Sequence, residues 1–278
     1  MKQTTLSKHF GQTEFVSSYI HNLLESNELN LKSQAGLMAS FVNHLSTRKP
    51  LEKVQYTFQN NRHFLCAATH TSFAHEFKAF ELQSNEKLEF LGDSILGILV
   101  STHLMTEFPK LNEGELSKFR SSLVNGTSFA ELGQFIGIGH CLLLGKGEFK
   151  SKGNFKEAIV ADAFEAFMGA IYYDSGFQAA RESFYNLLEN YKKSFDEDFI
   201  NEERLLQFDA KSRLQEKTMF LYKSLPEYET EILNDQLFEI SVYIEGKCIA
   251  SMKHVSKKKA ERELAAKILN ENKYIINN

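Results

Sequence analysis

The 278-residue chain is 42% hydrophobic and 24% charged, with three prolines and fifteen glycines. This excludes a low-complexity or disordered chain and allows one large domain or two ordinary ones. The opening residues lack the apolar core of a signal peptide, and no uninterrupted apolar run approaches the ~20 residues of a membrane helix, so no membrane partner is expected. Cys66, Cys141 and Cys248 are odd in number and far apart. That argues against a disulfide framework or a structural zinc site and for a cytoplasmic location.

In chain order, residues 1–48 read as short amphipathic helices, FVSSYIHNLL and AGLMASFVNHL, with no evident chemistry. Helical periodicity then dominates to about residue 190, broken by turns such as LGKGEFKSKGN. The charged stretch KKSFDEDFINEE (192–203) has few core-forming residues and reads as a linker that extends a helix. SRLQEKTMFLY is helical again. YETEIL and LFEISVYIEGKCIASM alternate apolar and polar residues around an EGK turn and read as two or three antiparallel strands. SKKKAERELAAKILNE closes with a helix, Ser256 as its N-cap and Ala260, Leu264, Ala265 and Ile268 on one face.

Net charge is −4, but the charge is unevenly spread. Residues 247–267 carry Lys247, Lys253, Lys257, Lys258, Lys259, Arg262 and Lys267 against Glu261 and Glu263 only. One end is suited to a polyanion while most of the acid excess lies before it.

The acids concentrate in two segments. In NEKLEFLGDSIL (85–96), Glu86, Glu89 and Asp93 fall within about 60° of one another on a helix surface. A solvated polar face is one reading of that line. In AIVADAFEAFMGAIYY (158–173), Asp162 and Glu165 are the only charged residues on a helix too apolar all round to lie at the surface. Ionised carboxylates there need arginines, shared protons or a cation. Arg120 is an arginine that could reach them. Two such helices together offer oxygen ligands of the kind a hard divalent ion takes. A carboxylic acid pair acting on a glycosidic bond is a further reading. It leaves the basic end unexplained, and there is no tryptophan for a sugar platform.

NEKLEFLGDS (85–94) closely resembles the signature of the bacterial ribonuclease III family. ATHTS (68–72), FPKLNEGELSKFRSSLV (108–124), LGKGEFKSKG (144–153) and AIVADAFEAFMGAIYYDSG (158–176) match in the family's order, together spanning about 130 residues without an obvious gap. The resemblance implies a mostly α endonuclease domain at 49–191, working as a homodimer on double-stranded RNA. By position, Glu89, Asp93, Asp162 and Glu165 match its metal-binding and catalytic acids. Glu86 and Glu113 match supporting acids. Mg²⁺ is the implied cofactor, with Mn²⁺ as a substitute. His70 is read as a packing and hydrogen-bonding residue, and Asn85 as a cap or positioning residue for the signature helix. Gly92 and Gly97 are expected to admit another backbone, that of the partner subunit.

The unit at 207–272 resembles a double-stranded RNA-binding domain, a small α+β fold of α-β-β-β-α order, joined through a linker at 192–206. Lys257, Lys258 and Lys259 in the first turn of its second helix are expected to clamp phosphates, and Gln215 and Glu216 to meet the minor groove. Asn234 stands where the family presents a histidine, and MKHVS replaces a glycine-bearing loop, so Met252 and His254 occupy its places. The implied activity is cleavage of double-stranded RNA to 5′-phosphate products, in the processing of ribosomal and messenger RNA precursors. A non-catalytic RNA-binding protein and a helical nucleotide pyrophosphatase are the alternatives. The first would lack the acids, and the second leaves the C-terminal unit without a role.

Overall fold

The computed structural model describes residues 15–25, 34–44, 47–204, 210–234 and 237–271. The chain divides into two compact units, Met1–Phe199 and Ile200–Asn278.

In the first unit the described helices are α1 (Val16–Glu25), α2 (Gln34–Asn43), α3 (Arg48–Val54), α4 (Asn61–Ala68), α5 (Thr71–Glu76), α6 (Glu86–Glu107), α7 (Glu113–Leu123), α8 (Gly126–Ile136), α9 (Lys146–Lys150) and α10 (Glu157–Phe195). Several begin where a polar side chain satisfies a free amide. Asn60 accepts from the Arg62 N–H, Asn125 from Ser128, and Asn112 forms a capping box with Glu115. α8 ends on Gly137, whose φ of +77° closes the helix in the left-handed conformation. α10 runs through Gly176, where φ is +81° and the helical path breaks.

α6 and α10 form the most extensive helix pair, and their facing residues build the core. Leu88, Ile95, Leu96, Leu99, Val100 and Leu104 are buried on α6; Ala163, Phe164, Ala166, Phe167 and Ala170 are buried on α10. Among the described residues α6 alone has the length and apolarity of a membrane span. Its packing on α10 accounts for part of that apolarity, while Phe90, Ile98 and Met105 stand exposed.

The described residues ahead of residue 49 pack into the first unit. Val16, Ile20, Leu37 and Phe41 are fully buried, and Phe41 meets Phe64 of α4 with ring centroids 5.1 Å apart. Ser17 donates to the Leu142 carbonyl at 2.6 Å and accepts from the Leu144 N–H at 2.8 Å. The stretch expected as a linker at 192–206 is described as far as residue 204. α10 continues to Phe195, and Phe199 is buried against Tyr191, with ring centroids 5.2 Å apart. Two phenylalanines among the acids give that stretch a hydrophobic anchor.

The second unit holds α11 (Ala210–Tyr222), β1 (Glu227–Asn234), β2 (Leu237–Ile244), β3 (Lys247–His254) and α12 (Lys257–Glu271). The strands form an antiparallel sheet in the order β1-β2-β3. Ile240, Val242 and Ile244 alternate inward along β2. Ile240 and Val242 share a core with Ala210 and Leu214 of α11 and with Ala260, Leu264, Ala265 and Ile268 of α12. Glu245 and Gly246 both have positive φ, the geometry of the tight hairpin turn that the EGK signal predicts. The α-β-β-β-α order is the expected one.

Candidate active site

The site begins with two glycines. A Cβ on Gly92 of α6 would overlap the Glu165 carbonyl oxygen of α10, and one on Gly169 of α10 would overlap the Leu88 carbonyl oxygen of α6. The two backbones therefore touch where each helix carries its acids. The expectation that Gly92 admits a partner subunit is corrected here: the backbone it admits belongs to the same chain. Gly97 has no atom within 4 Å of a would-be Cβ.

This contact brings Glu89 and Asp93 of α6 to Asp162 and Glu165 of α10. Glu89, Asp162 and Glu165 are half-buried, and Asp93 stands at the exposed rim. Burial, then Asp93, Glu89 and Asp162, push the Glu165 carboxyl up to about 8. Burial, then Asp162, Glu86 and Asp93, raise Glu89. Burial raises Asp162 as well, opposed by His70. None of these influences comes from a lysine or arginine, so Arg120 does not compensate Glu89, Asp162 or Glu165. Of the three ways to satisfy them, shared protons and a cation remain.

The donor set suits a hard cation, being all oxygen and mutually repelling. Among the described residues no three His, Cys, Asp or Glu side chains are placed so as to hold a metal ion as they stand.

Glu86 is exposed in the first turn of α6 and accepts from Ser84 Oγ at 2.8 Å; it acts on Glu89 and His70. Glu113 is exposed at the start of α7, accepts from Ser117 at 3.1 Å, and is not among the groups acting on Glu89, Asp162 or Glu165. Asn85 is buried ahead of α6, but its side chain caps nothing. It positions the helix through its backbone, the N–H donating to Thr69 and the carbonyl accepting from Leu88 and Glu89. His70 caps α5 by accepting from the Ser72 N–H. Burial lowers its pKa against Glu148, Asp162 and Glu86, so it borders the acids.

Sequence reasoning missed Asp174, eight residues past Ala166 on α10. It accepts from the Tyr56 hydroxyl at 2.6 Å, the Gln59 and Asn60 N–H groups at 2.8 and 3.0 Å, and meets His63 Nδ1 at 2.9 Å. Its partners lie more than 110 residues away in sequence, so no local pattern announces it.

In the second unit Lys257 and Lys259 are exposed in the first turn of α12; Lys258 is in the same turn, with its side chain outside the described residues. The Ser256 hydroxyl accepts from the Lys259 N–H at 3.5 Å. His254, which replaces a loop glycine, accepts from the Ser256 N–H at 2.7 Å and braces that helix start. Gln215 and Glu216 are exposed on α11. Asn234 ends β1 beside an irregularity in register, and its side chain lies outside the described residues.

The family whose sequence model matches this chain is described as ribonuclease-III-like, over residues 60–191. A Ribonuclease 3 from Aliarcobacter butzleri is 40% identical over 229 residues, covering 81% of this chain and 96% of the relative. One from Borreliella afzelii is 37% identical, covering 77% and 86%. A solved nuclease domain of ribonuclease III from Campylobacter jejuni, described for flexibility in a region involved in dimer formation, is 35% identical. It covers 51% of this chain and 96% of that domain, with a TM-score of 0.46.

Proposed function

The chain belongs to the ribonuclease III family, and on that premise we propose that it is a divalent-cation-dependent endoribonuclease. It hydrolyses phosphodiester bonds of double-stranded RNA to 5′-phosphate products, as a homodimer, in the processing of ribosomal and messenger RNA precursors in the cytoplasm. The observation that carries this reading is the set of four acids on α6 and α10, of which Glu89, Asp162 and Glu165 are half-buried with no lysine or arginine among the groups acting on them.

Glu89, Asp93, Asp162 and Glu165 would hold Mg²⁺, or Mn²⁺ in its place. Bound there, the cation supplies an activated water and neutralises charge on the scissile phosphate. The chain supplies the rest. The Gly92–Gly169 contact holds the two helix backbones that carry the acid pairs against each other. Burial and the neighbouring carboxylates push the Glu165 carboxyl up to about 8, so binding a cation there would release a proton. Glu86 and Glu113 are assigned supporting roles at the edge of the site. Lys257, Lys258 and Lys259 add charge to the positive end of α12 and take phosphates, with Gln215, Glu216 and Asn234 toward the minor groove.

Self-association is supported by the outer face of α6. Phe90 is 79% exposed, and Ile98 and Met105 follow it at helical spacing. Large apolar side chains in such a line fit a protein–protein contact. The testing experiment incubates the full chain with a long RNA duplex in Mg²⁺ and in Ca²⁺, with Glu165→Ala beside it. Cleavage in Mg²⁺, lost in Glu165→Ala with RNA binding retained, is expected. Binding without cleavage by the wild-type chain in Mg²⁺ would refute the reading.

A further inference from the structure

Residues 1–48 show no evident chemistry in sequence, and α1 lies ahead of the span 60–191 that carries the family. The fold nevertheless lays α1, with Phe15 just before it, along the chain that leads into α10. Phe15 stacks on His140 with ring centroids 4.8 Å apart, and meets Phe149 and Phe155 at 6.0 and 5.6 Å. His21 is buried among Phe73, Phe77 and Phe149. One short helix thus touches residues from 140 to 155, directly before the helix of Asp162 and Glu165.

Ser17 is the polar member of this contact, only 1% exposed, between fully buried Val16 and Ile20. A hydroxyl in such a place costs free energy unless it is hydrogen-bonded. It is bonded twice, donating to the Leu142 carbonyl at 2.6 Å and accepting from the Leu144 N–H at 2.8 Å. Leu143, between them, turns its own groups the other way. It donates to the Ala68 carbonyl at 2.8 Å and accepts from the His70 N–H at 3.1 Å, an isolated parallel bridge with Thr69. Ser17 therefore occupies the edge of residues 142–144 that another strand would pair.

The bonding continues to the acids. The Thr69 carbonyl accepts from the Asn85 N–H at 2.9 Å, and the Asn85 carbonyl accepts from the Leu88 and Glu89 N–H groups at 2.9 Å each. Thr69 and Asn85 are buried, so neither can exchange a lost partner for water. A hydrogen-bonded path runs from the Ser17 hydroxyl, across two extended segments, to the first turn of α6.

We propose that Ser17 is a positioning residue of the nuclease site. Its hydroxyl fixes the course of residues 142–144 and, through Thr69 and Asn85, the placement at which α6 presents Glu89 and Asp93 to the acids of α10. This rests on the nuclease reading and adds to it a residue from outside the span that carries the family. Simple packing would be served by an apolar side chain, as at Val16 and Ile20; two opposed backbone bonds need the hydroxyl.

The test compares Ser17→Ala with Ile20→Val in the full chain, the second trimming the core from the same helix while leaving the hydroxyl in place. Both should lower the thermal midpoint. Ser17→Ala alone should bind Mn²⁺ several-fold more weakly by calorimetry and need several-fold more Mg²⁺ for half-maximal cleavage. It alone should also speed deuterium exchange of the amides at 85–89. Wild-type Mn²⁺ affinity in Ser17→Ala, or equal losses in the two variants, would overturn the proposal. If Ser17→Ala does not fold, Ser17→Cys decides on the same readouts, since it fills the same space with a weaker hydrogen-bonding group. A wild type that binds Mn²⁺ without cutting a long RNA duplex overturns the nuclease reading, and the Mn²⁺ comparison still decides Ser17. A wild type that binds no Mn²⁺ overturns the metal site, and unchanged exchange at 85–89 then removes Ser17 as well.

Discussion

Gly92 sits against the carbonyl oxygen of Glu165, so one of the acid-bearing residues of α10 also forms the floor on which α6 rests. A methyl group at 92 has backbone to displace, with no flexible side chain that could yield. Gly92→Ala is expected to cost about 1–3 kcal/mol or more and to separate the acid pairs. A lowered thermal midpoint together with loss of cleavage would show it. Gly97→Ala is the contrasting case: a Cβ there meets no atom of the described residues within 4 Å, and Gly97 adjoins exposed Ile98. Its protomer stability should hold while self-association, followed by sedimentation, weakens. Equal behaviour of the two variants would contradict this division of roles.

Glu165 should weaken the metal-free fold. Burial and then three neighbouring carboxylates raise it to about 8, so ionising it costs free energy in the native state that the unfolded chain does not incur. The sign is that of a raised acid: the penalty is absent at low pH and grows as pH rises above the unfolded value toward 8. Glu165→Gln should therefore raise the thermal midpoint in a chelator at pH ~8, by about 2–4 °C for each kcal/mol relieved. The gain should shrink toward pH ~5. Added Mg²⁺ should stabilise the wild type more than the variant. A variant no more stable than wild type in chelator would mean that the acids do not strain one another.

The sequence made the two acid-bearing helices legible because their chemistry is periodic: Glu89 and Asp93, and Asp162 and Glu165, recur one turn apart on otherwise apolar segments. The second unit was legible for a similar reason, since β2 alternates and Ser256 precedes α12. What stayed hidden depends on distant contacts. Gly92 looks the same in sequence whether it admits a partner subunit or α10, and only the reciprocal Gly169 decides. Asp174 has polar partners scattered through residues 56–63. Phe199 reads as part of a charged linker until Tyr191 is seen beneath it.

The lysines at the start of α12 are expected to act as point charges on phosphates. Replacing Lys257, Lys258 and Lys259 together with alanine should lower duplex affinity and flatten the salt slope by about three. Ala260, Leu264 and Ile268 face the core away from them, so the unit should keep its thermal midpoint. Affinity is read by anisotropy with a labelled duplex. Unaltered binding would remove these lysines from the RNA interface.

Asp174 ties residues 56–63 to α10, and its side chain is 1% exposed. Burial opposes its ionisation, but the hydrogen bonds from Tyr56, Gln59, Asn60 and His63 outweigh that and hold it down to about 2. A depressed acid contributes stability that is present above its unfolded pKa near 4 and lost as pH falls through its folded value. From about 3.8 to about 2 the linkage amounts to roughly 2 kcal/mol. Asp174→Asn should therefore be less stable than wild type at pH ~7 by about that amount, and the gap should close between pH ~4 and ~2. Denaturant midpoints at several pH values test it. A gap that stayed constant down to pH ~2 would mean that Asp174 stabilises the fold through its shape and hydrogen bonds alone, without its charge.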